Sequence, residues 1–314
     1  MKVLLIQLRQ LGDVLLSSPL ARVVKEEIPN AEVHFLTSVV GKDILKGNPF
    51  IDKILTIENG LIGELKTILK VRREKYDAVI DVQRTGRSKK ITFFSGAFLK
   101  VAFRKRKGDW YYNRLVDWKD YGYTAWERME LLKGLGIEDP VRKYLPKIYN
   151  VANKCSFLDS LKLDKFVVIV PTARKSEKMW SLESYAKLID FLERRLNLPV
   201  VVLYGPGEIG VVKKLLCLCS GVFYYPSAPL SISELAYVVG SSAFFVGNNS
   251  FASHVSVAMG RPTVVVDKRK SGWFPPVDFV YEVYGDNDFP SFEDVAMVCE
   301  EVLKKSFDRI FRRG

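Results

Sequence analysis

The sequence predicts an α/β protein of two domains, each built around a parallel sheet. Three observations carry that expectation. Short β-rich runs alternate with amphipathic helical stretches along the whole chain, which is the pattern of βαβ units. The chain has 314 residues, more than one hydrophobic core usually organises. The alternation also breaks once, at an irregular connector, and then restarts. The domains are therefore placed at 1–150 and 151–314.

The first domain reads as strands at 3–7, 32–37, 53–57, 78–82 and 100–103. Between them, 14–27 and 62–73 carry apolar residues three and four apart, as amphipathic helices do. Residues 109–126 are aromatic and irregular, and 131–146 reads as a helix with its connector. The second domain begins with a strand at 166–170, followed by strands at 200–204, 223–225, 244–246 and 263–266. Helices at 181–196, 209–217, 231–241 and 250–259 intervene, and a last helix at 292–305 follows Pro290. Two Rossmann-like domains of similar size are the natural architecture, with a ligand cleft expected between facing strand ends.

Composition narrows the function. A hydrophobic fraction of 48% and a charged fraction of 27% belong to an ordinary folded protein. Cys155, Cys217, Cys219 and Cys299 stand in apolar surroundings and read as structural thiols. Only His34 and His254 are available as imidazoles, too few for a His-rich zinc site, and no metal is expected. No 18 apolar residues follow one another. Gln7, Arg9, Gln10 and Asp13 interrupt the apolar start before it could resemble a secretion signal. The expected location is therefore cytoplasmic. A net charge of +12 points to an anionic partner, and part of it is local: Arg84, Arg87, Lys89 and Lys90, then Arg104, Lys105, Arg106 and Lys107.

Four strand-to-helix loops hold the chemistry. In the first, residues 8–13, Gly12 permits a tight turn and Asp13 sits where an N-cap belongs. Asp13 is either a plain cap or a carboxylate aimed into the cleft. The second, 205–210, has the form G-x-G-x-x-G, but no acidic residue ends a strand about 20 positions on, so it argues weakly for NAD. Its Glu208 is either a cap or a ligand for ribose hydroxyls. The third, 171–181, places Arg174, Lys175 and Lys178 before a helix capped by Ser181, a fair phosphate site or else a solvated loop, with Trp180 in the core. The fourth, 246–254, offers backbone N–H groups at a helix start to a pyrophosphate, with His254 one turn inside that helix.

Together the loops resemble glycosyltransferase family 9, the ADP-heptose:lipopolysaccharide heptosyltransferases of the GT-B fold. The likeness rests on Leu-Gly-Asp-Val-Leu-Leu-Ser-Ser-Pro at 11–19, on Lys178-x-Trp180, and on Gly247…His254 followed by Gly260-Arg261-Pro262-Thr263. Asp81-Val82-Gln83…Arg87-Ser88 adds a segment on the acceptor side. The resemblance implies metal-independent, inverting transfer of heptose from ADP-heptose to the lipopolysaccharide inner core. No cofactor is involved besides the donor nucleotide sugar. Asp13 would be the general base, and Lys178 would neutralise the leaving diphosphate. Thr172, Ala173, Arg174, Glu208, Leu230, Asn249, Ser250, Phe251 and His254 would bind the donor. Gly12, Gln83, Arg84, Arg87, Ser88, Arg104 and Arg106 would bind an anionic glycolipid acceptor. The enzyme would then touch the inner face of the inner membrane peripherally, and nucleic acid is not an expected partner.

The fourth loop departs from the family pattern Asp-Ser/Thr-Gly-x-x-His: Asn249 stands for the Asp and Phe251 for the Gly. Asn keeps the shape but loses the charge that grips sugar hydroxyls, and Phe adds bulk where a diphosphate approaches. Residues 268–273 also lack the family's Phe-Gly-Pro-Thr run. A different nucleotide-sugar donor and a catalytically silent sugar-binding relative thus stay open beside the heptosyltransferase reading.

Overall fold

A computed structural model describes residues 1–58, 60–105, 107–286 and 288–311. The chain divides into two compact units, Met1–Asn150 and Val151–Gly314.

The first unit runs β1 (Lys2–Ile6), α1 (Leu11–Ser17), α2 (Pro19–Glu27), β2 (Glu32–Thr37), α3 (Val39–Leu45), β3 (Lys53–Thr56), α4 (Gly60–Arg73), β4 (Ala78–Asp81), α5 (Gly86–Phe94), β5 (Leu99–Phe103), β6 (Arg114–Val116) and α6 (Thr124–Met129). Its sheet has the order β3-β2-β1-β4-β5-β6 with every pairing parallel. Val3, Leu4, Leu5 and Ile6 are all fully buried, as a central strand covered on both faces requires.

The second unit runs α7 (Ser156–Leu161), β7 (Val167–Val170), α8 (Leu182–Asp190), β8 (Val200–Val202), α9 (Ile209–Leu218), α10 (Ile232–Ser241), β9 (Phe244–Asn248), α11 (Phe251–Ala258), β10 (Thr263–Asp267), β11 (Val280–Tyr284) and α12 (Phe292–Phe311). The order is β11-β10-β9-β7-β8, again wholly parallel. Trp180 joins this unit's core with Tyr185, Leu188 and Val246, as its neighbours in sequence suggest.

Strand order locates the functional edges. In the first unit the chain winds outward in opposite directions from β1 and β4. In the second it does so from β7 and β9. At such switch points the loops leaving the two strands diverge and open a crevice at the carboxyl edge of the sheet. The loops after β1, β4, β7 and β9 carry Asp13, Gln83–Ser88, Lys178 and Asn249–His254. The second sheet is tightly built where β7 and β9 meet. A Cβ on Gly247 would lie 2.9 Å from the carbonyl oxygen of Val170 and from the Phe245 ring.

Several local expectations change. The predicted helix 14–27 is two helices, because Pro19 opens α2 at a position where its missing N–H costs nothing. Residues 223–225 form an isolated bridge, Val201 with Tyr224, and not a strand. Helix 131–146 ends at Leu135 as a 3₁₀ turn. Strands β6 and β11 arise in irregular-looking sequence, where partner strands supply the pairing that local pattern does not advertise. Cys155 and Cys299 are buried as expected, but Cys217 is exposed on α9. No helix among the described residues is long and apolar enough to cross a membrane.

Candidate active site

In the first unit the candidate residues stand on the edge of β1 and β4. Asp13 is not an N-cap: Gln10 holds that position without a side-chain bond, and Asp13 falls in the first turn of α1. Gly12 is an ordinary helical residue of that turn, with no positive φ. What holds Asp13 is Arg128 of α6, a residue the sequence did not single out. One guanidinium nitrogen of Arg128 donates to a carboxylate oxygen of Asp13. The other donates to the Asp13 carbonyl at 2.6 Å and to Ser17 Oγ at 2.8 Å. This forked contact, charge-assisted and multiply anchored, orients the carboxylate while its side chain stays 23% exposed. Arg128 is 115 positions away in sequence, so no local signal pointed to it.

Gln83 acts on the same loop. Its side-chain oxygen accepts from Leu8 N at 2.7 Å and from Arg9 N at 3.3 Å, tying the β1 loop to the β4 loop. Asp81 closes β4, wholly buried. One oxygen accepts from Arg84 N at 2.8 Å and Gln83 N at 3.2 Å, and the other from the Tyr112 hydroxyl at 2.7 Å. Burial nonetheless pushes its carboxyl above the usual range, outweighing those hydrogen bonds.

The basic residues separate into two kinds. Arg84, in the left-handed region at φ +54, turns its side chain inward. Its guanidinium donates to the Phe103 carbonyl and, at 2.7 Å, to Asp109, and lies over the Tyr112 ring at 4.9 Å. Burial thus gives Arg84 a structural position between β4 and β5, not that of an exposed cation. Ser88 is likewise buried, as the third residue of a capping box with Thr85. Arg87 is half-buried, pairs with Glu64 at 3.3 Å and donates to the Glu58 carbonyl at 2.7 Å. Arg104 is exposed and pairs with Asp117 at 2.7 Å. Arg106 lies outside the described residues.

In the second unit the candidate residues stand on β7 and β9. Thr172 is buried, Ala173 half-buried and Arg174 exposed. Lys178 ends a short 3₁₀ turn, Ser176–Lys178, and is exposed. Both ends of this loop are stitched by one buried residue of β9. Asn248 Nδ2 donates to the Pro171 carbonyl at 2.9 Å, and Asn248 Oδ1 accepts from Trp180 N at 2.8 Å. The indole N–H of Trp180 donates to the Pro290 carbonyl at 3.0 Å. Ser181 caps α8 as expected.

Asn249 donates to Asp267 Oδ2 at 2.9 Å, while Asp267 Oδ1 accepts from Lys268 N at 2.8 Å. A carboxylate at the end of β10 is thereby held against the loop that lacks one. Ser250 takes the N-cap place of α11 without a capping bond, and among the described residues its buried hydroxyl has no hydrogen-bond partner. Phe251 opens α11, half-buried. His254 is buried and stacks on Phe274 with ring centroids 4.7 Å apart. Glu208 folds back on its own turn and accepts from Gly205 N at 2.7 Å. Leu230, half-buried, precedes the capping box of α10. A surface groove of about 580 Å³ beside Leu182, Lys213 and Cys217 includes none of the residues expected to bind the donor.

The chain is similar to known glycosyltransferases. A sequence model described as glycosyltransferase family 9 (heptosyltransferase) matches residues 65–271. Lipopolysaccharide heptosyltransferase 3 of Escherichia coli strain K12 is 27% identical over 280 residues, 82% of this chain and 79% of that one. Lipopolysaccharide core heptosyltransferase OpsX of Haemophilus influenzae is 21% identical, over 90% of this chain and 84% of its own. In fold, the chain is similar to the solved structure of E. coli ADP-heptose LPS heptosyltransferase II, with a TM-score of 0.79 at 17% identity over 97% of this chain and 99% of that one.

Proposed function

We propose that this chain, a glycosyltransferase that belongs to family 9, transfers heptose from ADP-heptose to the inner core of lipopolysaccharide at a membrane surface, with inversion and without a metal. The observation that carries the reading is the Asp13 carboxylate, held by Arg128 yet partly open at the switch point of its sheet. A base in that setting accepts the proton of an acceptor hydroxyl as the oxygen attacks the anomeric carbon of the donor. The bond from that carbon to the diphosphate breaks, and the nucleoside diphosphate leaves with its charge. Lys178, on a loop tethered at both ends by Asn248, supplies positive charge to it. The unpartnered Ser250 hydroxyl at the start of α11 is a donor waiting for a phosphate oxygen.

Asn249 removes a charge, but Asp267 stands 2.9 Å away and is presented by it. That pairing supports a working donor site over a silent one. The acceptor reading rests on the basic first unit and on the names of the relatives, which act on lipopolysaccharide.

The test is a binding titration with ADP, UDP, GDP and NAD, with Lys178→Ala as control. Selective ADP binding that the variant loses supports the donor assignment and leads to turnover assays with ADP-heptose and a Kdo–lipid A acceptor. Preference for UDP or GDP would replace the donor, and binding of none would favour the silent relative.

A further inference from the structure

Helix α4 turns only a narrow face inward. The residues it buries are Gly63, Glu64, Thr67 and Val71, mostly small or polar, with Ile68 partly buried against the core. Its other large apolar residues point the other way: Leu61 is 83% exposed and Ile62 74%, with Leu65 and Leu69 exposed beyond them. Positions 61, 65 and 69 follow one another by four, so they form a single stripe. Lys66, Lys70 and Arg73, all exposed, run along its flank. A surface helix of a soluble protein normally turns its apolar stripe inward, and four consecutive violations on one face demand an occupant.

The neighbouring surface continues the pattern. Helix α4 packs on α5, where Lys90 reaches Glu64 at 3.1 Å. At the end of α5 the Phe93 ring meets Phe94 at 5.1 Å and Trp110 at 5.5 Å, and Trp110 stays 67% exposed. Phe98, just beyond, is 80% exposed. Residues 60–73 and 86–108 hold twelve Lys or Arg and a single acidic residue, Glu64, which is buried.

We propose that this face, the outer stripe of α4 with the aromatic group after α5, inserts into the headgroup region of an anionic lipid bilayer. Aliphatic side chains, interfacial aromatics and flanking cations are what such a surface recognises: apolar burial at the acyl boundary plus attraction to acidic headgroups. A second copy of the chain would bring the same cations together and is disfavoured by repulsion. A nucleic acid would engage the cations and leave Leu61, Ile62 and Leu65 without a role. The purpose assigned to the contact, carrying the enzyme to a lipid-borne acceptor, rests on the function proposed above, but the surface itself does not.

The experiment is flotation of the full chain with acceptor-free vesicles, of phosphatidylcholine alone or mixed with phosphatidylglycerol. It compares wild type with the combined variant Leu61→Ser, Ile62→Ser, Leu65→Ser and, separately, Lys66→Glu, Lys70→Glu. The wild type should float with mixed vesicles only. The serine variant should partition at least about tenfold more weakly, from lost apolar burial, and the glutamate variant should also bind more weakly, its deficit against wild type widening as salt is lowered. Both should keep the wild-type melting temperature and turnover on a deacylated, water-soluble acceptor. Undiminished flotation of the serine variant overturns the proposal. So does a concentration-dependent dimer that the serine variant abolishes, or tight oligonucleotide binding that only the glutamate variant loses. If wild type floats but never turns over ADP-heptose, the docking surface stands and the proposed donor falls.

Discussion

The loops at the two switch points solve opposite problems. Those of the first unit are largely closed. Asp81, Gln83 and Ser88 satisfy one another or nearby backbone, and Arg84 directs its terminal nitrogens to Phe103 and Asp109 while its Nε has no partner among the described residues. Asp13 is the carboxylate left partly open. Those of the second unit are left unfinished. Lys178 is exposed, the Ser250 hydroxyl is buried without a partner among the described residues, and the ends of the lysine loop are anchored through Asn248. Polar groups fully paired inside the protein position other groups. Polar groups left over are available to a ligand, because stranding them costs energy until something arrives. The same types of residue thus serve differently on the two edges, and charge alone does not tell them apart.

Removing the carboxylate proposed as the base should have the largest effect. Asp13→Asn keeps the shape and part of the bonding to Arg128 but removes the base, and turnover should fall by about 10²–10⁴-fold. ADP affinity measured by calorimetry should stay as in wild type. Loss of ADP binding in that variant would contradict the division of labour between the units. Lys178→Ala should lower kcat/KM by about 10²–10³-fold, with weaker ADP binding and an unchanged melting temperature, as befits an exposed residue that acts only on a ligand.

The anchor should behave the other way. Asn248→Ala strands Trp180 N and the Pro171 carbonyl in a buried setting and should lower unfolding free energy by about 2–3 kcal/mol, read by denaturant titration. Ser250→Ala removes a stranded hydroxyl, so it should not lower stability and should weaken only donor binding. Equal losses of stability in the two would erase the contrast between anchored and unfinished groups. The same contrast applies among cations: Arg84→Met should lower the melting temperature clearly, whereas Arg104→Ala, in an exposed pair, should not.

A smaller effect concerns acid. Glu74 bonds Lys2 at 2.8 Å and Lys53 at 2.5 Å, and these lysines pull its carboxyl down to about 2. A carboxyl depressed on folding contributes stability that is fully present above the unfolded value and is lost as pH falls through the folded one. The first unit should therefore weaken between about pH 4.5 and 2, and Glu74→Gln should flatten stability against pH in that window. An unaltered slope in the variant would assign the acid sensitivity elsewhere.

Much of this was legible in the residues. Alternating short apolar runs and amphipathic stretches specify parallel βαβ units because both faces of a buried strand must be covered. The four chemical loops could be read because strand-to-helix turns are punctuated by Gly, Pro and capping residues. Less was legible wherever distance in sequence intervened. Arg128 belongs with Asp13 only because α6 packs against α1. Asn248 was read only as part of the 246–254 loop, and packing alone shows its amide bridging the lysine loop. Arg84 looked like a ligand-binding cation until its backbone turned left-handed and carried the side chain inward.

The sequence by itself determined the class of fold, the strand-to-helix loops that carry chemistry and the family to which they belong, because each depends on local pattern and spacing. Tertiary structure alone decided which charges were already matched, which carboxylate Asn249 meets, and which face of α4 was left to solvent. Those outcomes depend on the partners that packing brings within hydrogen-bond reach, and a linear pattern records a residue's neighbours in the chain, not its neighbours in space.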